Sequence, residues 1–224
     1  MLELLEGTRE HLADVFPALP PTVAVIMHDN VAAVAFAVPA LAPMWVLTAK
    51  AGRRYVAGAY ARGSLHVLAP RSLEQRASAV PGSREMLMLT PAALYAALVV
   101  AESNPGVAPP FSPGRSWASL RWAWLVAGAA QFFSGQTMYV RAAIARRLRE
   151  QRTLRFPPAV ADAALLGGSV FDLLARERGE EAAVALAVTP PRGDARDELR
   201  RAFGRPATEV EAVWRTHLGR LAEH

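Results

Sequence analysis

Cysteine is absent from the chain, lysine occurs once, at Lys50, and no histidine falls between His66 and His217. Without cysteine there is no disulfide framework, no thiolate zinc site and no cysteine nucleophile, and the composition fits a reducing compartment. The histidine gap excludes a two-histidine metal motif from most of the chain. Long apolar runs are missing too. The longest, residues 31–43 and 92–101, fall short of the roughly 20 residues that a membrane-spanning helix needs. The opening Met-Leu-Glu-Leu-Leu-Glu-Gly carries acids where a secretory leader would carry a basic region. Together these absences lead us to expect a cytoplasmic protein with no membrane span.

What is present is apolar mass and arginine. Hydrophobic residues make up 52% of the 224 positions, enough for a full core in one domain or two intimate halves. The formal net charge is +5, carried by arginine alone apart from Lys50. Arginine suits phosphate and carboxylate recognition through its bidentate fork. Its near-total replacement of lysine also fits the codon bias of a GC-rich genome. The densest basic segment holds Arg141, Arg146, Arg147, Arg149, Arg152 and Arg155. Val140, Ile144 and Leu148 form a core stripe through it at i, i+4, i+8 spacing. The arginines off that stripe read as a solvated face, and a nucleic-acid partner is not expected.

Periodicity organises the rest. Residues 2–15 alternate apolar and charged positions as a helix does, and prolines follow at 17, 20 and 21. Residues 22–27 read as a buried strand, 31–38 as a helix and 44–48 as a second strand. Residues 55–61 and 64–69 flank Arg62-Gly63 as a hairpin, stopped by Pro70. Thr90-Pro91 is a cap followed by a first-turn proline, opening a helix over 92–103. Helices follow over 117–133, 138–152, 160–178, 180–187, 194–203 and 208–222, with breaks at Arg192-Gly-Asp194 and Gly204-Arg-Pro206. Gly167-Gly168 lacks the Lys-Ser/Thr of a phosphate loop and reads as close helix packing. The expected fold class is α+β: an N-terminal α+β part over 1–90, then a helical part over 91–224, in one compact domain.

The stretch Trp124-Leu-Val-Ala-Gly-Ala-Ala-Gln-Phe-Phe-Ser-Gly135 resembles the W-L-x-E-G-x-A-E-[YF]-x-S-G segment of peptidase MA-like gluzincin metallopeptidases. Three further cues occur in the family's order. They are Gly58, Gly63 and Pro70 in the hairpin, Leu199-Arg-Arg-Ala-Phe-Gly204, and Glu211-Ala-Val-Trp-Arg-Thr-His-Leu218. The resemblance implies a zincin-like fold, with an H-E-x-x-H helix whose two histidines and a downstream Glu would bind zinc.

This chain departs from that pattern at each ligand. The downstream Glu is Ala127 and the second acid is Gln131. The helix over 92–103 offers Tyr95 and Val99, or Val99 and Ser103, at the i, i+4 spacing of the histidines. No cofactor, no metal and no catalytic residue is therefore expected. The leading expectation is a non-catalytic, metallopeptidase-like binding module with a protein or peptide partner. Its vestigial cleft would be lined by Tyr95, Val99, Trp124, Ala127 and Gln131, with His66 at the edge. Two alternatives stand beside it: a hydrolase with a relocated site, and an arginine-driven binder of nucleic acid or another anionic partner.

Overall fold

The computed structural model describes residues 1–39, 41–48, 53–61, 63–107, 120–150 and 154–223. Helix α1 (Leu2–Val15) leads to strand β1 (Ala24–His28), then helices α2 (Val31–Ala37) and α3 (Leu41–Leu47), then the hairpin of β2 (Gly58–Ala61) and β3 (Ser64–Leu68). β3 is central, parallel to β1 and antiparallel to β2, so β2 forms one edge. A parallel pair needs a long crossover, and α2 and α3 lie within it. Gly63 turns the hairpin at φ +69°, a conformation that glycine adopts without a Cβ clash. Asn30 caps α2 by accepting the Ala33 N–H at 2.9 Å.

The remaining described elements are helical. They are α4 (Pro70–Gln75), α5 (Ser83–Met88), α6 (Thr90–Ser103), α7 (Ala123–Phe133), α8 (Arg141–Arg149), α9 (Val160–Arg178), α10 (Glu180–Val188), α11 (Ala195–Phe203) and α12 (Ala207–Glu223). With its strands confined to the N-terminal half, the chain is α+β. Parts of the helices expected over 117–133 and 138–152 lie outside the described residues, as does most of the loop expected over 105–113. None of the described helices is long and apolar enough to cross a membrane.

Helix α6 is the hub. It packs against α1, against both hairpin strands and against α7, while α7 lies along α9. The main core runs through these elements and includes Leu12, Leu65, Val99, Trp124, Phe171 and Trp214. A smaller cluster of Val34, Leu41, Val67, Leu73 and Leu87 seals α2–α5 onto the sheet. Asn104, fully buried, ties the end of α6 to the end of α10 by donating to the carbonyls of Ala187 at 2.8 Å and Thr189 at 2.9 Å.

Three local expectations change. The strand expected to be buried over 22–27 is the outer strand β1, on which Ile26 and Met27 are exposed. Residues 44–48 are not a strand: Met44 to Leu47 complete α3, and the Thr48 hydroxyl donates back to the Met44 carbonyl at 2.8 Å. A short apolar run has no period to choose strand over helix, and Pro43 is tolerated in a helix's first turn. Thr90 does not cap α6. Leu89 occupies the cap position, and Thr90 lies inside the first turn with its hydroxyl buried and unpartnered.

Candidate ligand cavity

A cavity of about 190 Å³ opens between β2, the α2–α3 segment, α6, α7 and the start of α9. Two facing stripes create it. On α6, Thr90, Ala93, Leu94 and Ala97 recur at i, i+3, i+4, i+7 and share one side. On α7, Ala123, Val126, Ala127, Ala130 and Gln131 do the same. Both stripes are rich in alanine, so methyl groups meet where larger side chains would fill the gap. Gly58 of β2 closes the strand onto α6, since a Cβ there would stand 2.6 Å from Leu94 Cδ1. Val38, Leu41, Met44 and Thr48 roof the space.

Polar groups in the wall are few, and most are paired. Gln131 donates to the Ala164 carbonyl and accepts the Gly168 N–H at 2.8 Å. Gln136 donates to the Met86 carbonyl at 2.7 Å. The exceptions are the Tyr60 hydroxyl and Thr90 Oγ1, both buried with no hydrogen-bond partner. Burial pushes the Tyr60 phenol well above its ordinary range, so it stays protonated.

Of the residues expected to line a vestigial cleft, Ala127 and Gln131 are in this wall. Tyr95 and Val99 are not. Side chains two apart on a helix differ by about 200°, so Tyr95 points away from Ala93 and Ala97. It faces α1 instead, in a depression shared with Leu5, Arg9 and Val25. Burial raises the Tyr95 phenol, with nearby Arg9 acting in the opposite direction. Val99 and Trp124 are buried in the main core. The pair at i, i+4 spacing that faces Ala127 is therefore Ala93 and Ala97. Ala93, Ala97 and Ala127 carry no donor atoms, so these positions do not fit a zinc ion. Among the described residues no group of three or more His, Asp or Glu could hold a metal.

His66 is not in this wall. It pairs in register with Ala59, and alternate residues of a strand face opposite ways, so its side chain leaves the sheet on the side opposite Leu65 and Val67. There its Nδ1 meets His28 Nε2 at 3.1 Å and its Nε2 meets Ser64 Oγ at 3.3 Å. Burial and then the neighbouring His28 push its pKa down. This chain of three polar side chains borders none of the larger cavities found among the described residues.

The arginines are largely engaged within the fold. Arg147 is buried against Asp162 in a bidentate pair at 2.8 and 3.0 Å. Arg146 pairs with Glu150, Arg205 with Glu177, and Arg215 and Arg196 with Glu211. Arg152, part of the basic segment noted in the sequence, lies outside the described residues.

Tyr60 and Thr90 escaped the sequence reading, one lost in a strand and the other taken for a cap. The alternation Gly58-x-Tyr60 on the strand beside α6 was the available signal for the first. No protein-family model, no curated protein and no solved structure matches this chain.

Proposed function

We propose that the chain is a non-catalytic binding protein on a metallopeptidase-like scaffold, and that its vestigial cleft takes a small apolar ligand. The carrying observation is the cavity at Ala93, Ala97 and Ala127. Under the gluzincin resemblance Ala127 is the position of the third-ligand Glu, and Ala93 and Ala97, rather than the expected Tyr95 and Val99, are the i, i+4 pair that faces it. Methyl groups where a zinc site would carry imidazole and carboxylate ligands leave an apolar hole between the two helices. An apolar cavity near this volume takes up single-ring molecules: an engineered one of about 150 Å³ binds benzene.

Two features weigh against the alternatives. The Ser64–His66–His28 chain, the best start for a relocated hydrolase, contributes no residue to the cavity wall. Nine arginines form ion pairs among the described residues, which neutralises part of the charge that a broad basic face for nucleic acid would need. A peptide partner remains a second reading on one observation: β2 is a sheet edge bordering the cavity. A peptide could add a strand there and insert one apolar side chain.

The test is a thermal-melt series with toluene. At ten times its Kd a ligand stabilises by about 1.4 kcal/mol, or roughly 3–5 °C for a chain of this size. Ala97→Leu, which fills the cavity, should abolish the shift. If toluene shifts parent and variant alike, or neither, the cavity is not a binding site.

A further inference from the structure

We infer that the ligand of this cavity is a neutral amphiphile: a single ring or a chain of about six to eight carbons, bearing one hydroxyl or carboxamide headgroup seated against Tyr60 and Thr90. The inference rests on the cavity being a binding site, as proposed above, and adds the chemistry of what it binds.

The large majority of buried polar side-chain atoms in folded proteins are hydrogen-bonded, and each exception needs a reason. Six buried side-chain atoms lack a partner among the described residues, and two of them, Tyr60 OH and Thr90 Oγ1, belong to residues lining this one cavity. The other polar side chains in its wall have partners within the protein: Thr48 bonds Met44, Gln131 bonds Ala164 and Gly168, and Gln136 bonds Met86. Thr90 is 5% exposed and has not been used as a helix cap. Two hydroxyls, each able to donate and accept, thus stand unused on residues that wall an apolar space.

The missing partner has a definable character. Among the described residues no charged side chain lines the cavity, and a carboxylate or ammonium there would lose its hydration with no countercharge from them to replace it. A hydroxyl or carboxamide suits the site, because each can accept from one hydroxyl and donate to the other. The volume, about 190 Å³, sets the size of the body: a little more than the benzene-binding cavity, which is about 150 Å³.

The experiment titrates the full chain with three probes of one shape by calorimetry: toluene, p-cresol and 4-methylbenzoate. The same titrations are run on Tyr60→Phe, Thr90→Val and the double variant. Both substitutions are near-isosteric, and retained toluene binding reports that the cavity is intact. Should the double variant fail to fold, Thr90→Val alone decides. In the parent, p-cresol should bind at least as tightly as toluene, and 4-methylbenzoate should bind at least tenfold more weakly than p-cresol. In the double variant p-cresol should lose about tenfold relative to toluene, since its hydroxyl is then buried unpaired. If the ratio of p-cresol to toluene is unchanged by the variants, the two hydroxyls are met in another way, by water for example, and the inference falls while the cavity reading stands. If 4-methylbenzoate matches p-cresol, the headgroup is not neutral. If toluene does not bind at all, the cavity reading itself falls.

Discussion

Gly128 of α7 and Gly167 of α9 bring two helix backbones into contact: a Cβ on Gly167 would stand 2.8 Å from both Cα and N of Gly128. Next to this crossing, Gln131 reaches into α9 and takes the Ala164 carbonyl and the Gly168 N–H. An undisturbed helix would pair those two groups with each other. The close approach and the bridge together hold α7 in the orientation that presents Ala127 to the cavity.

Gly167→Ala should therefore destabilise the protein by about 3 kcal/mol or more, because backbone rather than a flexible side chain must move. Gly7→Ala and Gly219→Ala make the contrast. Both lie within helices with nothing within 4 Å of the added Cβ, and each should stabilise by about 0.5–1 kcal/mol. Urea unfolding of the three variants would decide it. A neutral Gly167→Ala would mean that α7 and α9 do not cross as described.

The Arg147–Asp162 pair is almost wholly buried, with side chains 8% and 9% exposed. Removing Asp162 leaves the buried Arg147 with only the longer contact to Glu150, at 3.4 Å. Asp162→Ala should cost about 3–5 kcal/mol, while Arg147→Met combined with Asp162→Leu should cost far less than the single change. A double-mutant cycle measured by chemical denaturation tests this. Additive costs would show that the two residues are not coupled.

Stability should fall in acid partly through Asp172. Burial opposes its charge, but hydrogen bonds with His217 and Arg176, both at 2.8 Å, hold its pKa below the ordinary carboxylate value. With the folded value below the unfolded one, its contribution is present above the unfolded pKa and is lost as pH drops through the folded one. Asp172→Asn should cost about 1–2 kcal/mol near neutral pH. It should also reduce the loss of stability between neutral pH and about pH 3. Denaturation midpoints of parent and variant across that range would reveal an equal slope if Asp172 plays no part.

The parent should gain no stability from zinc. Ala93→His, Ala97→His and Ala127→Glu together should create three convergent ligands, since the first two share a helix face and the third looks across at them. The triple set built on Tyr95→His, Val99→His and Ala127→Glu should not, because Tyr95 faces α1. Calorimetric zinc titration separates the two sets. If the first binds no more zinc than the parent, the metallopeptidase-like reading loses its main support.

Period, turns and breaks were enough to read most of the architecture. Residues 2–15, 160–178 and 208–222 show helical spacing between clear stops, and the helices observed there match within a residue or two. Gly63 marked the hairpin, and Gly167-Gly168 announced close packing. These features are local, written in 2.0- and 3.6-residue repeats and in backbone freedom. The lack of a histidine-pair or thiolate zinc motif was legible for the same reason, since a missing histidine or cysteine is a fact of composition. Tertiary structure alone decided which side of α6 meets α7. That helix is apolar nearly all round, with Ala92, Tyr95, Ala96, Leu98 and Val99 all buried. With no polar face to fix its rotation, spacing could not choose Ala93 and Ala97 over Tyr95 and Val99. Nor could sequence show that Thr90 leaves its cap role, or that Thr90 and Tyr60, 30 positions apart, come to line one cavity. That juxtaposition exists only because β2 lies against α6, with Gly58 allowing the approach.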